Sequence, residues 1–310
     1  MKIAVMGAGA LGGYFGGRLA QAGHEVWLIA RGAHLEAMQA NGLKILSPKG
    51  DAHVTAIHAT GDPAEVGPAD VILFMVKNRD VESAGEAIRP MLGPDTFVVT
   101  CQNGVTAWER LGAIIGPERV LPGVARIPGD IPEPGTVRHS AEFDMLIFGE
   151  PGGGTSPRAE ALAAALRAAG TTAVVPDNIQ HELWSKFCSQ ATLASLTTLT
   201  GLDLGPLRET PASRQLFKDA INETIAVGRA VIPDLPDDVF EKNWVFVETL
   251  PATMHASMLD DLRRGKPIEH EYLSGDVVRL GAQYGVPTPI HSVLYAALKP
   301  IADQLETGAA

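Results

Sequence analysis

Ile3-Ala4-Val5-Met6-Gly7-Ala8-Gly9-Ala10-Leu11-Gly12 opens the chain, and its reading decides the fold. Four apolar residues in a row, with no polar alternation, suit a strand covered on both faces. The glycines after them fit the G-x-G-x-x-G pattern of a strand–turn–helix unit that binds a dinucleotide. Gly7 permits the tight turn, Gly9 lets the backbone approach a pyrophosphate, and Gly12 lets the helix pack on the strand. The helix N-terminus supplies amide donors for the anion. The pattern alone is weak, but residues 10–22 continue as a small-residue helix closed by Gly23. A second apolar run, Val26-Trp27-Leu28-Ile29-Ala30, then arrives at the distance such a unit requires. Glycines that serve close packing alone are the competing reading.

Val71-Ile72-Leu73-Phe74-Met75-Val76 and Phe97-Val98-Val99-Thr100-Cys101 repeat the buried-strand pattern. A doubly wound, mostly parallel sheet with helices on both faces is therefore expected. Residues 44–57, with the turn Pro48-Lys49-Gly50-Asp51, look like a hairpin inserted into that sheet. Thr172-Ala173-Val174-Val175 is expected as its last strand. Beyond Pro176 strand signals disappear. Asp177 can cap a helix in which Ile179, Leu183 and Phe187 recur, and helical patterns follow over 216–231, 237–250, 269–284 and 290–301. The expected organisation is α/β, with a Rossmann domain over 1–176 followed by an all-α domain over 177–310.

Composition bounds the rest. The 310 residues are 45% apolar and 20% charged, enough for two cores and far from disorder. A net charge of −11 gives no footprint for nucleic acid or an anionic membrane, so an anionic cofactor must be held by local groups. The N-terminal apolar run is too short for a signal peptide, and no later stretch spans a bilayer, which makes the cytoplasm the expected compartment. Cys101 and Cys188 form no disulfide framework and no metal spacing. They are expected as buried structural thiols, with no metal.

The residue after the second strand selects the cofactor. NAD-binding units usually place Asp or Glu about 20 residues beyond the turn, to hold the ribose hydroxyls. This chain has Ala30-Arg31-Gly32 there. A guanidinium suits a 2′-phosphate, so NADP(H) is the expected cofactor, with a solvated surface arginine as the alternative.

With these residues in view, the chain resembles the ketopantoate reductases (2-dehydropantoate 2-reductases). The resemblance is carried by GAGALG at 7–12, Arg31-Gly32 with His34-Leu35, Asn41-Gly42-Leu43, Val76-Lys77 and Gln102-Asn103-Gly104-Val105. It continues through Leu183-Trp184-Ser185-Lys186-Phe187, Ser257-Met258-Leu259-Asp260-Asp261, Pro267-Ile268-Glu269 and Gly285-Val286-Pro287-Thr288-Pro289. These matches run in order over nearly the whole chain. The resemblance implies a substrate in a cleft between the two domains and NADPH-dependent reduction of ketopantoate to pantoate, a step of pantothenate biosynthesis. It implies Lys186 as general acid, Glu269 as the carboxylate that holds substrate near it, and Ser257 as a contact to the substrate carboxylate. It also implies Lys77 and Asn103 at the cofactor–substrate junction, with Gly7, Ala8, Gly9, Ala10, Leu11, Gly12 and Arg31 on the cofactor.

The chemistry suits these residue types. Hydride delivery to a ketone leaves charge on its oxygen, which a positioned ammonium stabilises and then protonates, typically worth ~10²–10⁴-fold. Lys186 sits on an otherwise apolar helix, with Gln190 and Ala194 on its face. A lysine snorkelling to solvent is the alternative. Glu269 could equally be a carboxylate at a helix start, with His270 and Glu271 as rivals for its role. Ser257 could be an N-cap, and Asn103-Gly104 a plain turn. A histidine mechanism would rest on His181 or His139, neither with a partner evident in the sequence.

The family often carries asparagines where this chain has Gln190 and Ala194. Gln can still hydrogen-bond a substrate from one methylene further away, and Ala cannot. The departure leaves the reaction type intact and opens the choice of 2-oxo acid. A non-catalytic dinucleotide sensor is the rival from another class, and it would need neither Lys186 nor Glu269. A homodimer is compatible with the sequence.

Overall fold

A computed structural model describes residues 1–307. Strands Lys2–Met6, Glu25–Ile29, His58–Thr60, Ala69–Phe74, Leu92–Thr100 and Val120–Leu121 form one sheet in which every neighbouring pair is parallel. Their spatial order is 58–60, 25–29, 2–6, 69–74, 92–100, 120–121. The chain thus winds outward from the first strand in one direction and then in the other.

The apolar runs are unbroken because both faces are covered. Ile3, Val5, Leu28, Val71, Leu73 and Val99 join one core, with Phe15 and Leu19 of helix Ala10–Gln21 and Leu162 and Leu166 of helix Pro157–Ala168. Ala4, Met6, Ile29, Ile72, Phe74 and Val98 join another, with Val81 and Ala84 of helix Val81–Ala87 and Leu111 and Ile115 of helix Ala107–Ile115. Successive strand residues point to opposite faces, so neighbours in sequence feed opposite cores. Each fully buried aliphatic side chain contributes roughly 1.5–3 kcal/mol.

Two expectations about this sheet are corrected. Strands Leu43–Leu46 and Ala52–Val54 do form an antiparallel hairpin, with Lys44 opposite His53, but outside the parallel sheet. They belong to a four-stranded sheet ordered 129–133, 136–139, 43–46, 52–54. The reason is visible in the pattern: Leu43 and Ile45 are buried while Lys44 and Leu46 are exposed, so the strand covers one face only. Helix 10–21 lies against both sheets. A Cβ on Gly16 would come 2.7 Å from Leu28, and one on Gly17 would come 2.7 Å from Ile45. Strand Thr172–Val174 likewise leaves the main sheet, pairing with Met145–Phe148, which pairs with Gly123–Arg126.

No strand follows Val174 among the described residues. Helices Ile179–Thr200, Leu204–Glu209, Pro211–Val231, Val239–Thr249, Ser257–Arg263, Ser274–Tyr284 and Pro289–Thr307 succeed one another, with a 3-10 turn at His270–Tyr272. The first of them is capped by Asn178, whose Oδ1 accepts from Gln180 N at 2.9 Å, in place of the expected Asp177. The pattern over 269–284 is broken at Leu273, which has φ −114° and ψ −97°. Helix 274–284 ends on Gly285 at φ 72°, the left-handed stop that glycine supplies without a Cβ clash.

The chain divides into two compact units. One comprises Met1–Gln102 and Ala107–Gln180; the other comprises Asn103–Thr106 and the residues from His181 onward. Against an expected boundary at 176, the division falls after Gln180 and groups 103–106 with the helices.

Candidate active site

The first strand delivers its C-terminal end into Gly7, held at φ 95°. A Cβ there would lie 2.9 Å from backbone atoms of Met75 and Val76, just past the adjacent strand 69–74. A Cβ on Gly12 would collide with the Gly7 carbonyl and come 2.8 Å from Val5 Cγ1. Those two glycines hold the turn against the sheet. Gly9 differs, because nothing lies within 4 Å of where its Cβ would be. Packing does not account for Gly9, whereas open space above the backbone does. Helix 10–21 begins at Ala10 with Gly9 as cap and no side-chain capping bond, which leaves the first-turn amides for an anion. The turn stands where the strand order reverses, the place ligands take in open α/β sheets. Its residues fit a bound pyrophosphate.

Arg31 precedes helix Gly32–Asn41 in extended backbone, exposed and with no hydrogen bond or ion pair to a described residue. Lys77 lies three residues past the end of strand 69–74 and is exposed. Gln102 has a structural task that the sequence motif did not disclose. Its buried amide Nε2 donates to Phe74 O at 2.8 Å and Val76 O at 3.0 Å, tying the end of its own strand to the neighbouring strand beside Lys77. A glutamine directly after an apolar strand was the available signal.

In the helical unit, Lys186 lies half-buried on helix 179–200 among buried Leu183, Trp184, Phe187 and Cys188. Burial pushes the Cys188 thiol pKa up, which keeps it inert. Lys186 Nζ donates to Asn103 Oδ1 at 3.0 Å. A snorkelling lysine does not make that contact. The 103–106 segment is held by two further contacts. Gly104, at φ 96°, packs so closely that a Cβ would come 2.8 Å from Tyr272 O. Thr106 Oγ1 donates to Asp276 Oδ2 at 2.7 Å in a buried site. Asn103-Gly104 is therefore both a turn and a partner of the lysine.

Tyr272 closes the 270–272 turn, its N–H donating to Glu269 O at 3.1 Å. Glu269 is 8% exposed; of its rivals, Glu271 is engaged elsewhere, whereas both ring nitrogens of His270 are buried with no hydrogen-bond partner among the described residues. Tyr295 Oη lies 3.0 Å from both Glu271 oxygens, and Lys299 Nζ lies 3.4 Å from one of them. His270 is buried against Tyr295, with ring centroids 5.3 Å apart, and burial lowers its pKa. Ser257 is exposed and is the first helical residue, with Ala256 in the cap position, so the capping alternative fails. Gln190 keeps a buried Oε1 with no hydrogen-bond partner among the described residues, and Ala194 is buried.

The two histidines do have partners. His139 lies 3.0 Å from Ser47 Oγ and 2.9 Å from Phe143 O, while His181 lies 3.0 Å from the exposed Asp234. Ser47 and Asp234 were invisible in sequence because they are contacts across long separations, and Phe143 contributes a backbone carbonyl that no residue pattern encodes. Among the described residues, no group of three or more His, Cys, Asp and Glu could hold a metal ion. No helix is long and apolar enough to cross a membrane.

A parallel sheet with a pyrophosphate turn, joined to a helical unit with a lysine–asparagine pair, defines a two-part dinucleotide oxidoreductase. Comparison with known proteins narrows the class. The family profile described as ketopantoate reductase PanE/ApbA matches residues 3–153, and its C-terminal counterpart matches 178–302. A 2-dehydropantoate 2-reductase of Mesorhizobium japonicum is 33% identical over 97% of this chain and 98% of its own. The crystal structure of a PanE/ApbA family ketopantoate reductase from Ralstonia eutropha superposes with a TM-score of 0.91 at 36% identity, covering 99% of this chain and all of the other. A D-mandelate dehydrogenase, solved with NADH and anilino(oxo)acetate, gives a TM-score of 0.88 at 26% identity over 99% of this chain and all of its own. The chain belongs to the ketopantoate reductase family and is an oxidoreductase.

Proposed function

We propose that this chain uses NADPH to reduce a 2-oxo acid to the 2-hydroxy acid, with ketopantoate as the leading substrate. The observation that carries this reading is the 3.0 Å contact between Lys186 Nζ and Asn103 Oδ1, on a segment docked beside the turn that Glu269 begins. An ammonium has three donors, and Asn103 orients it by taking one. Lys186 then donates to the ketone oxygen, stabilises the charge that develops there and transfers its proton. Glu269 and Ser257 orient the acid, and Gln190 offers an unpaired acceptor to a substrate hydroxyl. When bound, the reduced nicotinamide supplies the hydride. The glycine turn would hold its pyrophosphate and Arg31 its 2′-phosphate.

A second reading keeps the chemistry and changes the acid. Ala194 is apolar and only 1% exposed, and the D-mandelate dehydrogenase neighbour was solved with an aryl-amino oxoacetate. Both readings are tested by single-turnover oxidation of NADPH and of NADH with ketopantoate, 2-oxo-3-methylbutanoate and phenylglyoxylate. The expected result is oxidation of NADPH, fastest with ketopantoate. Oxidation with phenylglyoxylate alone would favour the second reading. Dinucleotide binding without oxidation by any of the three would point to a sensing module.

A further inference from the structure

Ser195, Ser274 and His291 come from three different helices and are fully buried. Ser195 Oγ lies 2.5 Å from Ser274 Oγ, Ser274 Oγ 3.1 Å from His291 Nδ1, and His291 Nε2 2.9 Å from Thr224 Oγ1 and 3.2 Å from Ala220 O. The direction of these bonds follows from elementary chemistry. Ala220 O can only accept, and Thr224 Oγ1 already gives its proton to that carbonyl at 3.1 Å. The imidazole proton therefore sits on Nε2, and Nδ1 is an acceptor. Ser274 donates to Nδ1, and Ser195 donates to Ser274. The histidine is fixed from its backbone as well. His291 N and Ile290 N donate to the two carboxylate oxygens of Glu223 at 2.8 and 2.9 Å.

Ser195 and Ser274 stand on, or directly after, elements that carry the proposed reacting groups. Ser195 stands on the helix of Lys186, about two and a half turns further on. Ser274 begins the helix that follows the Glu269 turn. The joint between that turn and the helix, Leu273, has no side-chain capping bond to fix it. We propose that Ser195, Ser274 and His291 are positioning residues that hold the Glu269 turn in register with the Lys186 helix. This proposal rests on the reading of Lys186 and Glu269 as the reacting cluster. Gly104 packs on the same turn at Tyr272, Thr106 bonds the following helix at Asp276, and the serine–histidine chain fixes the start of that helix at Ser274.

The test is a double-mutant cycle on kcat/KM for ketopantoate with NADPH, because a residue that acts through Glu269 has little left to lose once Glu269 is changed. Ser274→Ala is expected to lower kcat/KM by about tenfold in the parent, while NADPH affinity is unchanged. In a Glu269→Gln background the same change is expected to cost less than about twofold. Ser195→Ala keeps the Ser274–His291 bond, so it should give a smaller loss with the same non-additivity, and it replaces Ser274→Ala if that variant does not fold. Equal factors in both backgrounds, or no loss in either, would overturn the positioning role. If Glu269→Gln alone turns over ketopantoate as the parent does, the assignment of Glu269 fails first and the relay fails with it.

Discussion

Lys186 and Arg31 are two cations in different surroundings, and different work is proposed for them. Lys186 is half-buried and oriented by Asn103, whereas Arg31 is exposed and engages no described residue. Replacing the ammonium by an isosteric apolar chain removes the proton donor and little else. Lys186→Met should leave dinucleotide affinity near the parent value and lower turnover by ~10²–10⁴-fold, read by single-turnover kinetics. A loss below about tenfold would move the search for the acid to Lys77. Arg31→Ala should erase most of a preference for NADPH over NADH, about one to two powers of ten for a charge-assisted contact. Equal affinity of the unaltered protein for both dinucleotides, measured by titration, would contradict that role. Arg31 could be proposed from its position after the second strand, and Lys186 and Glu269 from the family motifs they lie in, because the roles proposed for them depend on side-chain type. Gln102 and Tyr272 were not, because they act on or through backbone carbonyls that no residue pattern encodes.

At the scale of elements, the small-residue helix 10–21 carries more information than its apolar pattern. Its glycines face two sheets, and that is why the 44–57 hairpin, read as part of one sheet, lies in another. Period-two patterning predicted the hairpin, but a strand's sheet membership depends on which face its partner covers. A buried carboxylate ties these pieces together. Asp144, fully buried, accepts from Lys49 Nζ in the hairpin turn at 2.6 Å, from Tyr14 Oη on the helix at 2.7 Å, and from Thr172 Oγ1 at 3.1 Å. Burial, and then the neighbouring carboxylate, push the Tyr14 phenol up to about 12, so it remains a donor. Lys49→Met strips the only formal positive charge that contacts Asp144 among the described residues. The expected cost is about 3–5 kcal/mol in urea unfolding at pH 7, the range for breaking a buried pair from one side. The deficit should shrink at low pH, where protonation of Asp144 removes the uncompensated charge. A neutral effect at pH 7 would show that water or Tyr14 suffices for that carboxylate.

Over the whole molecule, fold class was legible because continuous and periodic apolar runs report directly on how many faces are buried. The assignment of residues 103–106 to the helical unit was not, since it depends on single long-range contacts such as Thr106 to Asp276. Acid stability is a property at this scale, and its sign can be worked out. Burial lowers the His291 pKa from an ordinary 6.5 to about 4, and burial lowers those of His34 and His270 as well. The unfolded chain protonates these groups at a pH where the folded chain does not. Their contribution is thus complete above about 6.5 and is lost on acidification, for His291 as pH falls toward 4. Glu223 has the opposite sign: burial raises its pKa, so its contribution is present at low pH and is lost as pH rises through the folded value. Glu82 and Glu150, lowered by Arg110 and Arg158, contribute stability above the ordinary carboxylate range and lose it only as pH falls below that range. The histidine window therefore opens first on acidification. His291 alone is worth on the order of 3 kcal/mol there, at about 1.4 kcal/mol per unit. Unfolding free energies measured in urea at several pH values between 7 and 4 should fall steadily for the parent and distinctly less for His291→Gln. Parallel slopes for the two proteins would mean that His291 is protonated in the folded state, and with it the direction assigned to the Ser195–Ser274–His291 chain would be wrong.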